Sequence, residues 1–598
     1  MIIQNIKNRI EKRTIVKSPL SVSIAINLLF LLLILIFCDL KYEVSDDFIM
    51  AAILSGAFGD TQNPHIVFAN IILGYLLLPL YKILPQVSWY FVMQIAMITI
   101  SSIAVTFFLF DRLERRFAYM MTTILLFFFV SDMLILVQFT KTATFAVMSG
   151  SILFVDTLYN EKRKIRIFAG GILCLFGTML RFSTIYIAGA FLLLILLYET
   201  ICIFKKYAGK EITARIVRIA VSGAVLIGVA CGLQFVDGQA YNNETYAFYD
   251  DYNRARSHIV DSPDYGYGAY AEELEKLGIS ENDYYMMRTW SFADNDVFTL
   301  EKMEKTGDAI KEYKKSLGIP WEDTFENLQG REITNYPAFL ACAVLLVLQI
   351  VLNQRKIWGM ASGAVISVGL MAYFALRERC LYRIEFSILL CLFLCGVYFW
   401  KENVEIKTNE KKEKWKTNIS RCMILAVCAW NIVLFVPDIS YKYVTEDDRK
   451  YYIDDVFNIS WTYDARRYRR VVNKDRPTNL LLEEIEENPQ NFYFLDFNTT
   501  IQNLYFEWAP WEALPAGTFD NFEYLGGVIT NFPDIVDNLE EKGVENPLKS
   551  LVENNVYLVD STNIDSKVVY LQEHYYPNAR AELYKDIGGY QIWKIYEE

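Results

Sequence analysis

The run Tyr42-Glu43-Val44-Ser45-Asp46-Asp47-Phe48 sets two carboxylates side by side just past the first long apolar stretch. Carboxylates confined together raise each other's proton affinity, so Asp46 or Asp47 can act as general base toward a hydroxyl. The same pair can instead organise a divalent cation, Mg or Mn, because hard cations take carboxylate oxygens. An ordinary solvated acidic loop is the third reading. Cations stand at corresponding depths in later apolar runs: Lys141 in "QFTKTATF", Arg181 in "TMLRFSTIY", and Arg377, Arg379 and Arg383 in "ALRERCLYRIEF". Arginine grips phosphate in bidentate fashion, although each lone cation equally suits snorkelling to lipid headgroups. Asp132 in "FVSDMLIL" is a candidate second acid, with helix capping or polar packing as its alternative.

Those residues need elements to carry them. A bilayer core takes roughly 20 apolar residues as helix, and eleven such stretches are legible: about 20–38, 89–110, 117–136, 142–158, 167–180, 184–204, 216–236, 336–352, 357–376, 384–400 and 422–436. Lys7, Arg9, Lys12, Arg13 and Lys17 precede the first, which puts the N-terminus in the cytoplasm. If 66–84 lies along the outer surface instead of crossing, "DRLERR", "NEKRKIR" and the other basic loops all fall inside. Asp46, Asp47 and the span-end cations then share the outer side. Glu199 falls toward the cytoplasmic end.

The expected fold is thus an all-α polytopic membrane protein with an extracytoplasmic C-terminal α/β domain. Its parts are a seven-span module (1–236) with a first outer loop (39–88), a large outer loop (237–335), four further spans (336–436) and the domain 437–598. In that domain, strand-like "NFYFLDF", "NNVYLVDS" and "YQIWKIY" alternate with helix-like "NLLLEEIEEN" and "DIVDNLEEKG".

The order of features resembles the GT-C glycosyltransferases, especially the dolichyl-phosphate-mannose protein mannosyltransferase-like and lipid A aminoarabinose transferase-like members. Asp46-Asp47 match the acidic pair after the first span, with Asp in place of the usual second Glu. Asn63-Pro64-His65-Ile66 match the proline element that opens a juxtamembrane helix, with one proline rather than two. The resemblance covers about the first 240 residues and implies transfer of a sugar from a polyprenyl-phosphate carrier to a glycan or glycopolymer acceptor on the outer face. It also implies a bacterial plasma membrane, a base among Asp46 and Asp47, and substrate contacts from His65 and the cations above. A polymerase or ligase using lipid-diphosphate oligosaccharides, a flippase or transporter, and a membrane-anchored binding protein are the rival classes.

Composition narrows the field. Of 598 residues 53% are hydrophobic, yet 21% are charged, which suits spans alternating with aqueous parts. The net charge of −12 argues against nucleic-acid binding. Ten cysteines, mostly in apolar runs, give no disulfide framework or Cys-based zinc site, and three scattered histidines give no His cluster. Walker A, nucleophile-elbow and HExxH motifs are absent. The long outer loop interleaves aromatics with charge, making Arg254, Trp290 and Asp294 candidates for acceptor contact, or else interfacial residues. "YDARRYRR" groups Arg466, Arg467, Arg469 and Arg470 as a solvated face or an anionic-polymer contact.

Overall fold

The computed structural model describes residues 18–400 apart from 39, 161–162, 319–320, 331–332, 353–355 and 380; scattered positions from 415 to 429; and 480–597 apart from 498–508 and 588–589. The span expected at 422–436 and the basic patch at 466–470 lie largely or wholly outside the described residues.

Among the described residues seven helices are long and apolar enough to cross a membrane. They are α1 (Pro19–Phe37), α4 (Trp89–Arg112), α5 (Arg115–Ile135), α6 (Phe139–Asn160), α8 (Thr184–Lys206), α9 (Lys210–Tyr241) and α16 (Ile357–Leu376). Stretches 167–180, 336–352 and 384–400, also expected to span, fold as shorter helices: α7 (Ile165–Leu180), α15 (Pro337–Val351) and α17 (Tyr382–Tyr398). The segment 66–84 contains α3 (Ile71–Ile83), whose 13 residues extend only about 20 Å, less than the ~30 Å hydrocarbon core.

α6 is the axis of the bundle. Every residue from Phe139 to Tyr159 is buried, Lys141 and Asp156 among them. It crosses α7 so closely that a Cβ on Gly150 would meet the Gly170 carbonyl oxygen at 2.6 Å, the small-residue contact that lets spans pack without a hydrophobic driving force. α1 is inside-out by comparison. It exposes Leu28, Leu29, Leu32 and Leu35 and buries Ser23 and Asn27. Asn27 donates to Thr106 at 2.9 Å and accepts from Ser102 at 2.5 Å, fixing α1 against α4.

α9 runs on to Tyr241, so the loop that follows it begins a few residues later than expected. That loop folds as α10 (Ala247–Val260), α11 (Ala271–Lys276), α12 (Glu281–Arg288), α13 (Leu300–Ser316) and α14 (Trp321–Gly330). The chain ends in a five-stranded mixed sheet of order β4-β3-β5-β7-β6: β3 (Phe492–Leu495), β4 (Phe522–Tyr524), β5 (Val556–Val559), β6 (Arg580–Ile587) and β7 (Tyr590–Tyr596). The three strand-like runs are β3, β5 and β7. Helices α18 (Leu480–Glu487), α19 (Pro533–Glu541) and α20 (Ile564–His574) accompany the sheet. Beyond the ends of parallel β3 and β5, Lys567 bridges the fully buried Asp496 and Asp560 at 2.6 and 2.7 Å.

Glu523 on β4 is a costly residue there. It is 1% exposed, and its Oε2 has no hydrogen-bond partner among the described residues. Burial pushes its carboxyl up to about 8. The folded state therefore holds a proton that the unfolded state releases above its ordinary 4.5, so this contribution is full at low pH and fades as pH rises toward about 8. Glu523→Gln is expected to leave stability near wild type at pH 5 and to raise it by about 1–2 kcal/mol above pH 8. Unfolding curves at the two pH values check this; equal differences at both contradict it.

Candidate active site

The acidic pair falls in the first turn of α2 (Ser45–Ser55), where carboxylates complement the helix dipole. α2 ends at Gly56, whose φ of 83° and tight approach to the Thr61 backbone leave no room for a side chain. Just before α2, β1 (Lys41–Tyr42) pairs in parallel with β2 (Leu136–Val137), which pins the α2 entrance to the α5–α6 connection. Successive residues of a helix point about 100° apart, so the two acids diverge.

Asp47 points inward and is fully buried. Its carboxylate accepts from the Gln94 amide at 2.7 Å, the Tyr90 hydroxyl at 3.0 Å and the Phe139 backbone N–H at 3.4 Å. Gln94 in turn accepts from Thr142 at 3.0 Å. Burial still wins over these bonds and raises the Asp47 carboxyl to about 8. It ties α2 to α4 and α6.

Asp46 is partly exposed and meets a different environment. Burial raises its pKa, while Arg383, Arg181 and Arg256 oppose that rise and Asp261 adds to it. The cations come from four places: Arg181 caps α7, Arg256 lies on α10, Arg379 follows α16 and Arg383 opens α17. The Arg181 guanidinium lies over the rings of Phe139 and Phe68, at 5.2 and 5.5 Å. Burial and then Arg383 lower its pKa. Arg256 is 3% exposed, sits 4.8 Å from the Trp290 ring centroid, and keeps one guanidinium nitrogen buried with no partner among the described residues. Arg379 pairs with Asp261 at 3.4 Å. Four guanidiniums against two carboxylates leave a positive surplus beside a carboxylate that can take a proton. Such a site can hold an anion and accept a proton from a neighbouring hydroxyl.

Lys141 and Asp132 stand next to this group but serve each other. Lys141, fully buried, bridges Glu43 at 2.5 Å and Asp132 at 2.6 Å. Tyr382 donates to the second Asp132 oxygen at 3.0 Å. The chain Glu43–Lys141–Asp132–Tyr382 thus anchors the start of α17 and with it Arg383, the next residue. A π-helical turn, Leu126–Val130, directly precedes this part of α5. Such turns re-aim the residues that follow them.

His65 is also placed by its neighbours. Its ring stacks on Tyr246 at 3.7 Å, and Nδ1 lies 2.9 Å from the Asn63 side-chain oxygen. Burial lowers its pKa to about 4, so it is neutral at pH 7. Asn63 donates to Tyr246 at 2.8 Å and to both Asp534 oxygens at 2.8 and 3.0 Å. The C-terminal segment reinforces the grip on the chain after α2: Gly517 N–H donates to the carbonyls of Gly59 and Gly56, Phe519 N–H donates to that of Ala57, and the Phe519 and Phe58 rings stack at 4.3 Å. Asp534→Ala is expected to cost about 1.5–3 kcal/mol in unfolding free energy, the range for bonds to a charged group, and to lower any turnover through looser α2 placement. Unchanged melting in detergent contradicts this.

Not every candidate joins the cluster. Arg377 is exposed, with its guanidinium 5.0 Å from the Tyr373 ring centroid. Arg254 pairs with Asp250 at 2.5 Å on the solvent side of α10, and Asp294 accepts from Tyr570 and Tyr575 at 2.6 and 2.7 Å. Trp290 does border the cluster, stacked between Arg256 and Phe497. Glu199 accepts from Tyr398 at 2.7 Å, far along α8 from Arg181. Glu43, Tyr90, Gln94, Arg256, Asp261 and Tyr382 were not singled out from sequence. The donor set does not suit Mg or Mn on the acid pair: the Asp47 oxygens are engaged and Asp46 faces guanidiniums, so no step is routed through a metal.

No protein-family profile matches the sequence, and no curated protein matches it. Among solved structures the fold is similar to ArnT from Cupriavidus metallidurans in the apo state, at 10% identity and a TM-score of 0.37, covering 96% of this chain and 97% of that one. It is similar also to the same protein bound to undecaprenyl phosphate, at 10% identity and a TM-score of 0.36 over the same shares.

Proposed function

We propose that this chain is a GT-C-like glycosyltransferase that moves a sugar from a polyprenyl-phosphate carrier to a hydroxyl acceptor, a surface glycan or glycopolymer, at the outer face of a bacterial plasma membrane. The observation that carries the proposal is the partly exposed Asp46 carboxylate beside Arg181, Arg256 and Arg383. In the reaction, the acceptor oxygen attacks the anomeric carbon as the bond from that carbon to the phosphate oxygen breaks. The bonding pair leaves with the carrier phosphate, whose growing charge the arginines offset. The acceptor proton passes to Asp46, whose raised pKa makes it a better base than a free carboxylate. Asp47 holds α2 in place, and the Glu43–Lys141–Asp132–Tyr382 chain holds Arg383.

The proposed topology follows the charge pattern: eleven crossings, N-terminus in the cytoplasm, C-terminal sheet domain outside. Reconstituted protein is tested with three labelled donors: a polyprenyl-monophosphate sugar, a polyprenyl-diphosphate oligosaccharide and a nucleotide sugar. Transfer from the monophosphate donor alone is expected. Transfer from the diphosphate alone assigns a polymerase or ligase instead, and transfer from none removes the enzymatic reading.

A further inference from the structure

The glycine pair Gly526-Gly527 follows β4 of the C-terminal sheet and packs against residues of the outer loop and of β3's end. A Cβ on Gly526 would meet the Trp290 carbonyl oxygen at 1.9 Å, and one on Gly527 would meet the Phe497 ring at 2.3 Å. Both approaches are closer than any side chain permits, and the φ of 102° at Gly527 is one that only glycine adopts freely. Trp290, just past α12, holds a φ of 65°, an outlier for so bulky a residue. Such backbone persists only where its surroundings enforce it. Here the C-terminal domain does so. Phe497, just past β3, stacks on the Trp290 ring at 5.3 Å, and Ser291 donates to Asp496 at 3.2 Å. Tyr249 of α10 donates to the Val528 carbonyl at 3.0 Å.

These contacts lead to one cation. Gly527 backs Phe497, Phe497 stacks on Trp290, and the Arg256 guanidinium lies over the Trp290 ring at 4.8 Å. Arg256 Nε donates to the Asn253 side-chain oxygen at 2.9 Å. Its Nη1 is buried without a hydrogen-bond partner among the described residues, on a side chain only 3% exposed. A ring face holds a guanidinium in place without neutralising it. A buried donor left unpaired is destabilising, and an arriving acceptor removes that cost. The same guanidinium acts electrostatically on Asp46, so it belongs to the site of the proposed base.

We propose that the C-terminal domain completes the carrier-phosphate site: through Gly526, Gly527, Phe497 and Trp290 it positions Arg256, whose unpaired N–H takes a phosphate oxygen. This rests on the glycosyltransferase reading and adds a coupling to it. Phe497 and Trp290 are positioning residues; Arg256 alone touches the phosphate. Coupling is reciprocal, so a bound carrier tightens the docking of the sheet domain as much as docking tightens the carrier. Undecaprenyl phosphate binding is measured on the reconstituted full chain as wild type, Arg256→Gln, Phe497→Leu and the double variant. Arg256→Gln is expected to bind about tenfold more weakly, the loss of one charge-assisted hydrogen bond, and Phe497→Leu about threefold to tenfold. The double variant is expected to bind no more weakly than Arg256→Gln, because Phe497 acts only through that guanidinium; a purely structural role would add its own loss. In hydrogen exchange, the carrier is expected to slow the amides of β3 and β4 in wild type and not in Arg256→Gln. Should Phe497→Leu fail to fold, the exchange comparison decides alone. Additive losses, wild-type affinity in Phe497→Leu, or exchange in β3 and β4 indifferent to the carrier overturns the coupling and leaves the glycosyltransferase reading standing. No binding of the carrier to wild type removes both.

Discussion

Asp46→Asn is expected to lower sugar transfer by about 10²- to 10⁴-fold, the range for loss of a positioned general base, with melting temperature close to wild type. Asparagine matches aspartate in shape, so Arg181, Arg256 and Arg383 keep their places and only proton acceptance is lost. Asp47→Asn provides the contrast. The Asp47 carboxyl sits near 8 and is largely protonated at neutral pH, and an amide keeps an acceptor oxygen for Tyr90 and Gln94. Its rate effect is expected to stay within about tenfold. In wild type the rate falls on the acid side as Asp46 protonates, at a pH above the ordinary carboxylate range because burial outweighs the arginines. An Asp47 variant slower than the Asp46 variant reverses these roles.

The second large effect concerns stability. Lys141→Met leaves Glu43 and Asp132, 4% and 1% exposed, without their shared cation. Breaking a buried pair by removing one partner costs about 3–5 kcal/mol, and two stranded acids put this variant at the upper end. The penalty shrinks on acidification, because a protonated Glu43 needs no counter-charge and burial already raises its pKa. The triple variant Glu43→Gln, Asp132→Asn, Lys141→Met has no buried charge at these positions and is expected to recover most of the loss. Unfolding in detergent at pH 5 and pH 8 measures all three statements; a pH-independent loss, or a triple variant as unstable as the single, contradicts them.

Much of this site is legible in sequence because apolar runs and span-end charges are local signals. Asp46 stands out in sequence as half of an acidic pair, and Arg181, Arg379 and Arg383 by their place at span ends; the fold brings these charges near one another. Glu43 was passed over although it stands in the same run as the acid pair, since one carboxylate looks like another until its partner is known. Arg254 was chosen where Arg256 is the buried residue. The spacing of Tyr249, Tyr252, Arg256 and Ile259 marks the inward face of α10, and a helical count places Arg254 on the outer side. The Lys141–Asp132 bridge joins residues nine apart across the α5–α6 turn, and the grip of residues 517–534 on the segment after α2 joins parts of the chain more than 400 residues apart. Periodicity carries no information about such pairings. Hydropathy registers apolar content more readily than helix length, so the shortness of α7, α15 and α17, at 16, 15 and 17 residues, is not legible in sequence.

The central claim is that the arginines around Asp46 hold a carrier phosphate. Equilibrium binding of undecaprenyl phosphate to reconstituted wild type, Asp46→Asn and Arg181→Gln/Arg383→Gln tests it most directly. Asp46→Asn is predicted to bind at least as tightly as wild type, because a negative neighbour is gone, while the double arginine variant binds at least tenfold more weakly. Wild-type affinity in the arginine variant, with the protein still folded, contradicts the account.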